Sequence, residues 1–163
     1  MVSFLLALLV GSGQRPPPLV DLLVGRWTSS VVHWHADGSS LHERGVIECE
    51  WILARRYLLC DRRYTADTGA NRHSMQLYAV SDDGTVAEVM TLYEGSTSRA
   101  LQSVRLVPPT SLELTGLIQV GGRQLRTRGM MTIAAITVSY RNETEEAPGR
   151  WRVDYEETYS RRP

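Results

Sequence analysis

His33, His35 and His42 crowd one short stretch of the chain, and their spacing is its first sign of chemistry. His33 and His35 flank Trp34, so on a strand both imidazoles project from the same face as Trp27. If Asp37-Gly38 forms a two-residue turn, His42 falls opposite His33 and three imidazoles converge. Such a set could hold Zn²⁺ with an open position. A three-residue loop, Asp37 to Ser39, instead turns His42 outward beside Trp34. It leaves His33 and His35, with Glu43, as polar groups near a cavity mouth. The first register also puts Glu48 on the inner face unless Gly45 bulges. Agreement with the next hairpin favours the second, and no metal ligand is assigned. Glu157 is a further acid; an ion pair with an inner Arg62 is its preferred role. No serine shows a relay of His and carboxylate, so no catalytic residue is assigned.

Cys49 and Cys60 are the only cysteines. Across a two-residue turn at Ala54-Arg55, Leu53 faces Arg56, Trp51 faces Leu58, Cys49 faces Cys60 and Ile47 faces Arg62. Glu48, Glu50, Asp61 and Arg63 then share the other face, and a one-residue slip would destroy that separation. Opposed strand residues lie within bridging distance. Two buried thiols acting as small hydrophobes are the preferred state unless the protein is exported.

Most of the chain must be strand to position these groups. Turn signals recur at Asp37-Gly38, Thr68-Gly69, Asp83-Gly84, Glu94-Gly95, Pro108-Pro109, Gly121-Gly122 and Pro148-Gly149. That rhythm is typical of an all-β sandwich or barrel, and nothing between the turns sustains a helical period. With Asp83-Gly84 as a turn, Met75 falls opposite Leu92 and Leu77 opposite Met90, four apolar side chains on one face. On the last strand Trp151, Val153, Tyr155 and Tyr159 take one face. In a closed barrel that strand returns beside the first. Arg161 then lies near Trp27, the ring expected to plug the floor, as a cation–π lid.

Composition removes other classes. Eighteen basic residues balance eighteen acidic ones, so no net field recruits nucleic acid. Every basic residue is Arg; without Lys, Schiff-base and phosphate-loop lysine chemistry are excluded. The apolar run Phe4 to Val10 is too short to span a bilayer, and Gly11-Ser12-Gly13 follows it as small residues suited to signal cleavage. Residues 1–18 read as a signal segment and proline spacer, with the folded domain over 19–163. Export and cytoplasmic residence both stay open.

Gly25-Arg26-Trp27, after a short helical turn, resembles the G-x-W motif of the lipocalins and the wider calycin superfamily, whose partner is a basic residue on the last strand. Three segments together resemble a group of small bacterial lipocalin-like proteins with a domain-of-unknown-function label. They are Leu23-Val24-Gly25-Arg26-Trp27, Glu50-Trp51-Ile52-Leu53-Ala54-Arg55-Arg56-Tyr57-Leu58, and Gly149-Arg150-Trp151 with Glu157-Thr158-Tyr159-Ser160-Arg161. The turn that is often Gly-Gly in that group is Ala54-Arg55 here.

The resemblance implies an antiparallel up-and-down barrel of about 8–10 strands, with room for one small ligand. The first expectation is binding of a small apolar or amphipathic molecule by a monomer or homodimer, against a lining of Trp27, His33, His35, Trp51, Met75, Leu77, Met90 and Tyr155. The alternative is a cavity enzyme of isomerase or cyclase type, with His33, His35 or Glu157 as acid or base. A haem-binding branch of such barrels ranks lower, because it uses a histidine late in the chain and none follows His73.

Overall fold

The computed structural model describes residues 19–81, 85–120 and 122–161. The segment assigned to a signal and spacer, the turn residues Asp83 and Gly84, and Gly121 lie outside them. A single 3₁₀ turn, Leu19–Leu23, leads into ten antiparallel strands. These are β1 Gly25–Trp34, β2 Ser40–Ile52, β3 Tyr57–Ala66, β4 Asn71–Val80, β5 Val86–Tyr93, β6 Arg99–Val107, β7 Ser111–Val120, β8 Arg123–Ile133, β9 Thr137–Ala147 and β10 Arg150–Arg161. Each strand pairs with its neighbour in sequence and β10 pairs with β1, so the sheet closes into a barrel without an edge.

The registers follow from turn chemistry. In β2–β3, Trp51 faces Leu58, Cys49 faces Cys60 and Ile47 faces Arg62. Leu53, Ala54 and Arg55 adopt φ of 48°, 53° and 64°. The hairpin therefore takes left-handed backbone on side chains that ordinarily resist it. Cys49 and Cys60 form a disulfide, which corrects the expectation of two free thiols. Both sit on the inner face of directly opposed strands, with Cα atoms 4.1 Å apart. In β4–β5, Met75 faces Leu92 and Leu77 faces Met90.

The β1–β2 loop has three residues but sits one position earlier than expected, over residues 36–38, with the His35 amide donating to the Ser39 carbonyl at 2.9 Å. Trp34 pairs with Ser40 and His33 with Leu41, so His42 lies opposite Val32 and points outward. Gly45 pairs in step with Ser29, and no bulge intervenes there. Its missing side chain has another purpose. A Cβ on Gly45 would come within 2.5 Å of the Tyr64 ring, and one on Gly129 within 2.5 Å of the Tyr140 hydroxyl. These two glycines let tyrosine rings lie flat against the inner wall.

The last strand departs from simple alternation. A register shift between Val153 and Tyr155 leaves Asp154 without a ladder partner. The extra residue reverses the facing of everything before it. Tyr155, Glu157 and Tyr159 remain on the inner face, whereas Trp151 stands outside beneath the guanidiniums of Arg126 and Arg128, 5.7 and 4.4 Å from its centroid. The shared face expected for Trp151, Val153, Tyr155 and Tyr159 is thus split.

The core occupies the end of the barrel beside the 3₁₀ turn. Trp27, Leu58, Val89, Ile133 and Val138 are completely buried there, with Val20 and Leu23 packed beneath them. Full burial of side chains of this size is worth about 1.5–3 kcal/mol each. The Trp27 indole donates to the Leu23 carbonyl at 2.8 Å. Arg161 lies 4.4 Å over the ring and donates to the carbonyls of Leu22 and Val24, at 2.7 and 3.1 Å. That end is sealed.

Candidate functional site

At the opposite end the inward residues change character. On β3 the inner face runs Leu58, Cys60, Arg62, Tyr64, and on β2 it runs Ile47, Gly45, Glu43. Charged groups replace hydrocarbon, which cannot fill the space without desolvating them. A cavity of about 490 Å³ results, opening at the β1–β2 and β5–β6 end of the barrel. Between it and the floor lies a polar layer. Tyr78 donates to Gln76 at 3.1 Å and Gln76 to Thr91 at 3.4 Å, while Thr127 and Tyr140 donate to Asn142 at 2.8 and 3.1 Å.

Glu157 occupies the inner end of the cavity, 2% exposed. Ser29 and Tyr64 donate to its Oε1 at 2.5 and 2.6 Å, and Tyr159 donates to Oε2 at 3.2 Å. Arg62 donates to Oε2 through Nη2. The guanidinium lies against the rings of Tyr64 and Tyr159. Burial works against its charge, but Glu157 together with the Tyr159, Tyr64 and Tyr155 hydroxyls outweighs it, and the Arg62 pKa is raised well above its ordinary value. Burial likewise holds the Tyr64 and Tyr159 hydroxyls far above the usual tyrosine value, so both remain donors. A buried pair is tolerable only when its remaining lone pairs and protons are matched. Here the carboxylate has four donors, whereas Arg62 Nε has no hydrogen-bond partner.

Nearer the mouth, His33 Nε2 lies 2.9 Å from Glu43 Oε2, and Arg72 donates to Glu43 Oε1 at 3.1 Å. Burial pushes the Glu43 carboxyl up, but the His33 hydrogen bond and the Arg72 charge pull harder and leave it below the ordinary value. Tyr155 packs against His33 and Tyr140 at ring separations of 5.6 and 5.4 Å. Burial raises the Tyr155 pKa well above its usual value and that of Tyr140 to about 12. On the rim His73 bridges Asp61, at 2.5 Å from Nε2, and Glu94, at 2.9 Å from Nδ1. The Asp61 hydrogen bond is the main reason its pKa is raised.

The expected lining is therefore only partly in the cavity wall. His33 and Tyr155 are there, and Glu43 accompanies His33. Trp27 lies under the floor. Trp51 ties the β2–β3 hairpin to the 3₁₀ turn, donating to Asp21 at 2.8 Å while Arg55 stacks 4.7 Å over it. His35 sits beyond the end of β1, exposed. Met75, Leu77 and Met90 stand on the outer surface, because the inner positions beside them are Ser74, Gln76, Tyr78 and Thr91. His42 faces out while His33 faces in, so the three imidazoles do not converge. Among the described residues, no group of three His, Cys, Asp or Glu is placed to hold a metal ion. The sequence reading overlooked Tyr64, Arg72, Tyr93 and Asp154 as lining residues. Tyr64 was within reach, since it shares the parity of Leu58, Cys60 and Arg62. Asp154 was not, because only the bulge turns it inward.

No protein-family model matches the chain, and no curated protein does. Solved structures do. The crystal structure of Rv2717c from M. tuberculosis is similar over 91% of this chain and 100% of that one, with a TM-score of 0.67 and 12% identity. A redesigned β-barrel, mFAP1, solved bound to DFHBI, is similar over 88% of this chain and 99% of that one, with a TM-score of 0.50 and 14% identity. At these identities the similarity shows the fold alone: a closed antiparallel β-barrel. No described helix is long and apolar enough to cross a membrane.

Proposed function

We propose that the chain is a lipocalin-like binding protein that holds one small amphipathic molecule in the mouth half of its barrel. The observation that carries this reading is the cavity itself. Its volume, about 490 Å³, falls in the range of small-molecule sites, and it opens above a sealed floor. Its wall mixes Val31, Ile118, Tyr93 and Tyr155 with Glu43, Arg62 and Asp154, which suits a ligand with an apolar body and a polar group better than a purely apolar one. The Cys49–Cys60 bridge favours an oxidising compartment as the place of action. Native mass spectrometry of the protein purified from its own source tests the reading. A co-purifying molecule lost on denaturation supports it; a bare mass, together with no binding from an extract of that source, sinks it.

A second reading rests on the His33–Glu43 pair. An imidazole held by a buried carboxylate at a cavity wall is the arrangement of a general acid or base, so an isomerase or cyclase is the alternative. It predicts turnover with a pH limb that vanishes in His33→Ala while the fold is retained. Haem binding ranks below both, and haem titration without a Soret band removes it.

A further inference from the structure

Among the described residues, four carboxylates line the cavity, and three of them have a cation of their own. Glu157 is held by Arg62, Glu43 by Arg72 and His33, and Glu94 by His73. Asp154 is the fourth. Its nearest cation, Arg152 Nη2, stands 3.9 Å away, beyond hydrogen-bond range. That guanidinium is engaged elsewhere: Nε donates to Glu146 at 2.6 Å, and Nη1 donates to the Trp34 carbonyl at 2.5 Å.

Asp154 is also open. Its side chain lies in the cavity wall and is 36% exposed. Strict alternation from Tyr155 would send it outward, and the bulge between Val153 and Tyr155 turns it inward instead. Bulges beside sites re-aim a side chain in this way. The Asp154 charge is felt on the inner wall: burial chiefly raises the Tyr93 pKa, Arg62 and Arg72 oppose the rise, and Asp154 adds to it. A ligand carboxylate would meet this uncompensated charge, and a neutral group would leave it as it is. An ammonium would supply the missing cation and donate to the Asp154 oxygens, a charge-assisted bond stronger than a neutral one. Tyr93 and Tyr155 offer ring surface in the same wall to the carbons beyond it. Resting on the binding reading above, we infer that the ligand is a cationic amine, with its ammonium on the Asp154 carboxylate and its apolar body against Tyr93 and Tyr155.

Three probes of one shape test this: 2-(aminomethyl)naphthalene, 2-(hydroxymethyl)naphthalene and 2-naphthoate. At neutral pH they are a cation, its uncharged isostere and an anion. Affinities are measured by isothermal titration calorimetry, alongside the Asp154 carboxyl ¹³C resonance in NMR spectra. The amine is expected to bind about tenfold or more tighter than the alcohol, with the carboxylate weakest. Only the amine should shift the Asp154 resonance, a readout that needs no variant. Asp154→Asn keeps the shape and removes the charge. With near-UV circular dichroism unchanged, it should cut the amine's advantage to about twofold or less while alcohol binding persists. Equal binding of amine and alcohol to the native protein overturns this inference and leaves the binding reading standing. Tightest binding of the carboxylate does the same, as does an amine preference that survives in folded Asp154→Asn or leaves the Asp154 resonance unmoved. Binding of none of the three overturns both.

Discussion

The two ends of this barrel are built from the same alternating strands and reach opposite outcomes. At the floor, inward positions carry Trp27, Leu58, Ile133 and Val138, and the interior is dry and closed. At the mouth the same strands turn Glu43, Arg62, Tyr64 and Glu157 inward, and the interior is open. Side-chain volume does not explain the difference, since Arg and Tyr are as large as the residues below. What differs is that hydrocarbon can pack in any direction, whereas each charged or hydroxyl group must first satisfy its donors and acceptors. The mouth is ordered by hydrogen bonds, and space that no such geometry fills remains as cavity.

That contrast is open to attack at both ends. Trp27→Ala should be the most damaging single change at the floor, about 3–5 kcal/mol in denaturant unfolding. A loss below about 1 kcal/mol would mean that the ring is not the keystone of the dry end. At the mouth, Glu157→Gln strands the Arg62 charge and should cost about 3 kcal/mol, whereas Arg62→Met combined with Glu157→Leu should recover much of it. If the double variant is no better than the single one, the mouth depends on its ion pair for more than charge balance. Arg161→Ala removes the cover over Trp27 and its carbonyl contacts, and a loss of about 1–2 kcal/mol is expected.

Proton linkage separates the ends further, because the floor has little to titrate. Glu43 is held below its unfolded value of 4.5, so its contribution is present above that pH and lost as pH falls through the folded value. His73 is raised above 6.5, so its contribution is complete below that pH and fades as pH rises through the folded value. In urea titrations across pH, Glu43→Gln should flatten the acid limb and His73→Ala the limb above 6.5; unchanged curves would remove both groups from the account. The smallest effect belongs to the hairpin beside the floor. Ala54→Gly, at φ 53°, should stabilise by about 0.5–1 kcal/mol in the same assay.

Much of this contrast was legible in the residues. The β2–β3 register emerged from the separation of Glu48, Glu50, Asp61 and Arg63 from Trp51, Cys49 and Cys60. The opposition of Met75 to Leu92 and Leu77 to Met90 came from one turn dipeptide. What alternation does not supply is its own sign. On β4 and β5 the apolar set, Met75, Leu77 and Met90, faces outward while Ser74, Gln76 and Thr91 face inward. The rule that the apolar side is the inner side fails where the interior is itself hydrogen-bonded. The β8–β9 turn, where Ala134 donates to Thr137 at 2.8 Å, has no Gly, Pro, Asn or Asp to announce it. The Asp154 bulge is equally silent, yet it decides that Trp151 faces out, and it brings Asp154 into the cavity wall.

Joining β10 to β1 also sets the order in which the molecule can be made. Arg161 reaches the Leu22 carbonyl across 139 residues of chain. As the polypeptide leaves the ribosome, β1 can dock on β2 at once, but its other margin has no partner until the final strand emerges. Until then the half-built sheet exposes unpaired backbone at both margins, the state in which strands of neighbouring molecules most readily join. Such distant pairing is slow to form. The contact that seals the floor is thus the last to be made, and a chaperone that shields the nascent sheet would act in the interval before it.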